Sequence, residues 1–467
     1  MSVSHTLLRQ LTVGGVLAGA VIVACATTSP SSSPVGSTDT PSAQALPPGC
    51  NPDPTCPGST CATAITPAQS VVPVDACPRF GEFQSDVDVY SWNTFIALNW
   101  PATTSACAPN TQVSILTGQG PTVWETYPED TDIFVPPGSK PGAWCTFNTP
   151  AALETKLRRL TKLTEAGRLE AVNANVDKLL VSDSKASAIV IERFPDIKQA
   201  VGGPLTDQNG RFVRYEKRLN QDEYNYLITN NLWNAAGQTS ATISFPTGPT
   251  QNPGPCNGKP CGPVGAMEVK AAWKVLSAQE VAGKRFYMRK AWVLNDESGA
   301  PSPGANPVTV GLVGLHIIHK TASQAKWFWS TFEQVDNTTS SFFNPHCTTN
   351  CQPNQQTATQ PYTELAPDGG PLNAPVQVTR TTPIQADPSL NAYYRGLLKG
   401  SVWANYQLIS TQWATGGAPQ GTPPVLANTT METFIQPTAS CMGCHSNAPK
   451  ASGSGTADFS FLMLEAQ

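Results

Sequence analysis

The chain has 467 residues, of which 13% are charged and 43 are proline, with a formal net charge of −4 at neutral pH. A charge-poor, weakly acidic composition argues against a nucleic-acid partner. Proline at this frequency favours strands, turns and long connections over helices, and the length allows two or three domains or one large β-rich domain.

The chain begins MSVSHTLLRQLTVGGVLAGAVIVAC. Arg9 supplies a short basic n-region, and Leu11 to Ala24 form an apolar run that is short for a membrane span and lacks a stop-transfer flank. Ala24 followed by Cys25 resembles a bacterial lipobox. Residues 1–24 are therefore expected to be a lipoprotein-type signal peptide with Cys25 as the lipidated first residue; ordinary cleavage near VACATT and an uncleaved anchor are the alternatives. Residues 26–48 are mostly Ser, Thr, Pro and Ala with one charge. Such a stretch cannot bury enough apolar surface to offset its ordering entropy, so 25–48 reads as a lipidated cysteine on a flexible tether. No later segment is long and apolar enough to cross a bilayer, so membrane attachment is expected by the lipid anchor only.

A body at 49–425 follows. In SDVDVYSWNTFIALNWP (85–101), Val89, Trp92, Phe95 and Ile96 fall at helical spacing, with Ser85 as N-cap and Pro101 as stop. The stretch 149–172 predicts one further helix, with Leu153, Leu157 and Leu160 on one face and Lys156, Arg159 and Lys162 elsewhere. Residues 211–219 alternate as a strand and 221–233 read as a helix. The β-branched and aromatic runs 266–276, 284–294, 308–320, 327–335 and 401–413 predict strands, with 308–320 and 327–335 close enough for an antiparallel hairpin. The expected fold class is α+β: a large β-rich body with N-terminal helices and a short C-terminal module, 426–467, docked on it.

Thirteen cysteines in an exported chain imply disulfides. Setting aside Cys25, Cys441 and Cys444 leaves ten, an even number. Cys256–Cys261 and Cys347–Cys351 are expected as local pairs and Cys107–Cys145 as a longer one. Cys50, Cys56, Cys61 and Cys77 cannot be paired from sequence.

The C-terminal module contains SCMGCHSNAP, 440–449. Two thiols with two residues between them lie on one helical turn, the separation needed for thioether bonds to the two vinyl groups of a haem. The histidine that follows then lies under the iron. Cys441 and Cys444 are thus the expected attachment points of one covalent haem c and His445 the proximal iron ligand, while Gly443 leaves room for the macrocycle. This composition would produce about 0.004 such motifs by chance. A thioredoxin-like dithiol expects a preceding strand of a βαβ unit, which ANTTMETFIQPTAS does not supply. Zinc wants a second closely spaced pair, and none is near. A structural Cys441–Cys444 disulfide is the remaining competitor.

Beyond this motif, SWNTFIALNWP (91–101), GGPLTDQNGRFVRYEKRLNQDEYNYL (202–227), VGLHIIHKT (313–321), WFWSTFEQVDN (327–337), NTTMETFIQ (428–436) and DFSFL (458–462) extend along most of the chain. Together with CMGCH they resemble the largely uncharacterised exported monohaem cytochrome c family proteins of Gram-negative bacteria. The resemblance implies haem binding and electron transfer, with a redox partner protein or a small electron donor or acceptor. With the lipobox it implies the periplasmic side or surface of the cell envelope, at the outer membrane. It implies no substrate.

Only 22 residues follow His445, too few for a small cytochrome domain, so the body is expected to complete the haem crevice. The sixth iron ligand separates an electron carrier from an enzyme that binds O2 or peroxide. Candidates are His316, His319 and Met463. On one strand, His316 and His319 point to opposite faces, so at most one faces the haem. Met463 is within reach across Ser446–Asp458, against the competing expectation of packing beside Phe459 and Leu462. A five-coordinate iron is a further alternative, and His346 reads as structural. Electron transfer leads, ahead of a haem-dependent oxidoreductase and a disulfide-rich binding lipoprotein with structural haem. Trp327, Phe328, Trp329 and Phe332 read as core, and Glu333 and Asp336 as structural carboxylates. No phosphate loop, nucleophile elbow or HExxH motif occurs.

Overall fold

A computed structural model describes residues 61, 63–76, 84–161, 163–181, 203–249, 255–256, 259–260, 262–294, 307–344, 347, 352–357, 374–415 and 421–467. The expected signal peptide, Cys25, the tether and His346 lie outside the described residues, as do the expected pairings Cys256–Cys261 and Cys347–Cys351. Among the described residues no helix is long and apolar enough to cross a membrane.

The fold is α+β, built on a seven-stranded mixed sheet. Its strands are β1 (Lys178–Val181), β2 (Arg214–Leu219), β3 (Met267–Val275), β4 (Met288–Leu294), β5 (Val308–His319), β6 (Phe328–Gln334) and β7 (Tyr406–Gln412). The longest, β5, is the axis. Its first edge pairs antiparallel with β3, which carries β2 beyond it. Its second edge is shared: β4 takes the start of β5 and β6 takes the end, with β7 outside β6 and β1 running parallel to β4. The β5–β6 pair is the hairpin expected from the short connection.

Alternation along these strands divides the molecule into layers. One face of the sheet presents Val269, Leu315, Ile317 and Phe332 to helices α1 (Gln84–Leu98) and α5 (Pro388–Leu397). Trp92 of α1 is fully buried there, stacked on Tyr394 of α5 with centroids 5.1 Å apart. Truncating such a ring costs about 3–5 kcal/mol. Even the polar side of α1 is buried, because Ser91 Oγ lies 2.6 Å from both Ser330 Oγ on β6 and Thr411 Oγ1 on β7. Ser85, expected as N-cap, sits inside the first turn of α1.

The opposite face carries the C-terminal segment. Asn428 Nδ2 donates to Thr331 Oγ1 and to the Phe332 carbonyl, both at 2.9 Å. The Thr429 backbone N–H and hydroxyl donate to Glu333, each at 2.6 Å. The segment sits so close to β5 that a Cβ on Gly314 would lie 2.3 Å from Thr430 Oγ1. Glu333 and Asp336 serve as structural carboxylates, bonded respectively to Thr429 and Arg380 and to Arg285.

The stretch 149–172 is not one helix. It forms α2 (Pro150–Leu160) and α3 (Glu165–Asn173). Thr161 turns extended while its hydroxyl donates to the Leu157 carbonyl at 2.6 Å, and Thr164 recaps the chain by accepting from Gly167 N. Lys156, assigned from sequence to the polar side, is buried and paired with Glu129 and Asp132. The predicted 401–413 strand begins late because Val402–Asn405 coils as a 3-10 turn. The predicted 221–233 helix is α4 (Gln221–Thr229). Cys107 and Cys145 form the expected disulfide, 38 positions apart in sequence.

Candidate haem site

The CxxCH stretch is itself the short helix α6 (Cys441–His445), N-capped by Ser440, whose hydroxyl accepts from Gly443 N at 3.1 Å. Gln412 at the end of β7 fixes its start, accepting from Met442 N at 2.8 Å. Met442 is fully buried in the core below, so the turn presents Cys441, Cys444 and His445 on its other side. Those three residues line a cavity of about 370 Å³ between the C-terminal segment and the sheet. That volume lies in the range of small-molecule and cofactor sites.

Strand register builds the floor. Lys217, Lys270 and His316 face one another across β2, β3 and β5 as direct partners, and Glu268, Ile318 and Trp329 form the neighbouring row across β3, β5 and β6. All six line the cavity. Apolar walls come from Leu426, Ile435, Phe461 and Leu462.

The tautomer of His445 is fixed by its surroundings. Its Nδ1 lies 2.8 Å from the Phe459 carbonyl, and a carbonyl only accepts, so Nδ1 carries the proton and Nε2 keeps the lone pair. Burial lowers its pKa to about 4, which keeps the ring neutral. Trp329 packs beside the ring, with centroids 4.6 Å apart. Burial pushes the Cys441 thiol upward, and the Glu432 charge adds to the shift. A reactive dithiol calls for the opposite, a lowered thiol pKa.

Cys441 is a free thiol. Cys444 is disulfide-bonded. The sequence reading had reserved both cysteines for their own chemistry, and this bond changes the pairing arithmetic. It also excludes a Cys441–Cys444 disulfide. Among the described residues no group of three or more His, Cys, Asp or Glu is gathered as a metal cluster, so the zinc reading finds no support.

The three expected distal candidates separate. His316 lines the cavity; its Nε2 is buried without a hydrogen-bond partner among the described residues, and Glu432 makes only a 3.5 Å charge contact to it. His319 points to the other face, where Nδ1 meets the Tyr90 hydroxyl and Nε2 donates to the Val264 carbonyl at 2.8 Å. Both of its nitrogens are used, and burial lowers its pKa to about 4. Met463 is fully buried in the apolar cluster with Leu462 and Met442, and does not line the cavity. It behaves as the packing residue that the competing expectation described.

Sequence reasoning missed the titratable floor. Lys217 is paired with Asp130 and Glu465, whereas Lys270 makes no ion pair among the described residues, and burial lowers its pKa to about 8. Glu268 is raised to about 7 by burial, and burial together with Glu268 pushes Glu223 well above the carboxylate range. Alternation in AMEVKAAWKVL offered a signal, since Glu268 and Lys270 share one face of an otherwise apolar strand. The register that sets them beside His316 is not readable from one strand.

No family model, curated protein or solved structure matches the chain.

Proposed function

We propose that this chain is an exported, lipid-anchored monohaem c-type cytochrome that transfers electrons in the cell envelope of a Gram-negative bacterium. The observation that carries the reading is a cofactor-sized cavity walled by Cys441, Cys444 and His445, with the His445 Nδ1–H already engaged and Nε2 left as a donor. Cys441 and Cys444 would hold the porphyrin through thioether bonds, and His445 would bind its iron. When bound, the haem supplies a one-electron iron couple. Around it, Ile318, Leu426, Ile435 and Phe461 exclude water. One sulfur cannot hold a disulfide and a thioether together, so attachment requires Cys444 to be reduced first. Cys25 supplies the anchor, and the exchange partner is a redox protein or a small donor or acceptor.

The test is haem staining after denaturing electrophoresis of protein made in a host that matures c-type cytochromes. A stained band at intact mass is expected, lost in the C441A/C444A double variant. A colourless wild-type band would end the proposal. A haem-dependent oxidoreductase acting on O2 or peroxide is the second reading. It is favoured by the Glu223–Glu268 pair, which can keep a proton at the cavity floor at neutral pH.

A further inference from the structure

The haem reading leaves open what occupies the iron's other axial position, and on that reading the geometry points to His316 as the second ligand. Iron held by both His445 and His316 would offer no open position to O2 or peroxide, and the haem would then serve electron transfer rather than oxygen or peroxide chemistry.

Four observations lead there. His316 lines the same cavity as Cys441, Cys444 and His445. Its Nε2 is buried, and among the described residues its one polar neighbour is Glu432 Oε2 at 3.5 Å, too long for a good hydrogen bond. Burial of a weakly matched nitrogen carries a penalty that donation to a metal would relieve. Its backbone is fixed from both sides, because β5 pairs His316 with Lys270 on β3 and with Thr331 on β6. A ligand on the central strand of a sheet is held more precisely than one on a loop. The other candidates are otherwise engaged: His319 by Tyr90 and Val264, Met463 by the apolar cluster.

A rival within the cavity is Lys270, the register partner of His316. Its amine must lose a proton before it can donate a lone pair, whereas an unprotonated imidazole donates as it stands. The two side chains therefore make different predictions in the same experiment.

That experiment uses the full chain, purified with its haem, in three forms: wild type, H316A and K270M. Visible and electron paramagnetic resonance spectra report spin state, and cyanide and CO report an open position. The wild type is expected to be low-spin, without the far-red band of a thioether-ligated ferric haem, and unshifted by cyanide or CO. H316A is expected to keep its stained band after denaturation, to become high-spin, to bind both probes, and to regain the low-spin spectrum when free imidazole is added. K270M is expected to match the wild type. A high-spin wild type, a low-spin H316A, or a spin change in K270M instead of H316A would each overturn the assignment. Should H316A fail to accumulate, near-infrared magnetic circular dichroism of the wild type decides alone, because imidazole–imidazole and imidazole–amine pairs absorb at different energies. An unstained wild-type band would instead remove the haem reading itself, so the two failures are told apart.

Discussion

Two cavities open on the same sheet, one of about 370 Å³ beneath the CxxCH turn and one of about 280 Å³ beneath helices α2 and α3. They handle charge in opposite ways. Around the second, every major charge is cancelled by a neighbour: Lys178 Nζ lies 2.8 Å from Glu125 and 2.8 Å from Glu216, Arg218 reaches Glu129 at 2.7 Å, and Lys156 bridges Glu129 and Asp132. Around the first, Lys217 is paired with Asp130 and Glu465, but among the described residues His316 Nε2 has only a 3.5 Å contact to Glu432, Lys270 has no ion pair, and Glu268 and Glu223 are driven toward their protonated forms. Buried polar groups that satisfy one another hold a fold together. Groups left with their burial cost uncompensated mark a place where a ligand completes the account.

The sharpest way to break this comparison is to remove one cation from each cavity. Lys178→Met leaves Glu125 and Glu216 buried without their ammonium, and is expected to cost about 3–5 kcal/mol in urea denaturation. Lys270→Met removes an ammonium that has no carboxylate in ion-pair contact, and is expected to shift stability by less than about 1 kcal/mol. Equal losses would mean that the two cavities do not differ in kind.

The next effect is one of pH. Burial works to raise Glu125, but Lys178 and Arg289 prevail and hold it at about 2. A carboxylate lowered on folding adds stability above its unfolded value of about 4.3, and that stability disappears as the pH falls toward 2. Glu268, raised to about 7, acts in the opposite direction: its contribution is complete in acid and is lost as the pH rises through 7. From these two groups the melting temperature is expected to fall as the pH drops below about 4 and again as it rises toward 7. Glu268→Gln should reduce the fall on the alkaline side and leave the acid fall as it is, which melting curves at a series of pH values will show. The smallest change is Thr149→Ala, which removes the α2 cap to Ala152 N and should cost about 1 kcal/mol with no change in the haem spectrum.

Local pattern made much of this legible. The α1 periodicity, the strands with period two and the C-x-x-C-H turn appear where the sequence places them, because each is set by neighbours in the chain. Helix α5 was equally readable, with Asp387 as cap and Pro388 at its first position, but no element was assigned there from sequence. The break at Thr161 was not readable, because the helical spacing of its leucines continued past the hydroxyl that competes for the Leu157 carbonyl. Hidden altogether were features that need register. The row Lys217–Lys270–His316 joins three strands from distant parts of the chain, and the Lys178–Glu125–Glu216 contact joins three more such segments. Sequence alone left His316 and His319 on equal terms; the neighbours of each ring separated them.

The His445 ring takes its bearing from the carbonyl of Phe459, whose left-handed backbone closes a loop behind it. A polypeptide broken off between those two residues would still possess both thiols and Trp329 beside the ring, yet the imidazole would lose the acceptor that settles which of its nitrogens bears the hydrogen. The far end of the chain thus dictates the tautomer of a ring 14 positions before it.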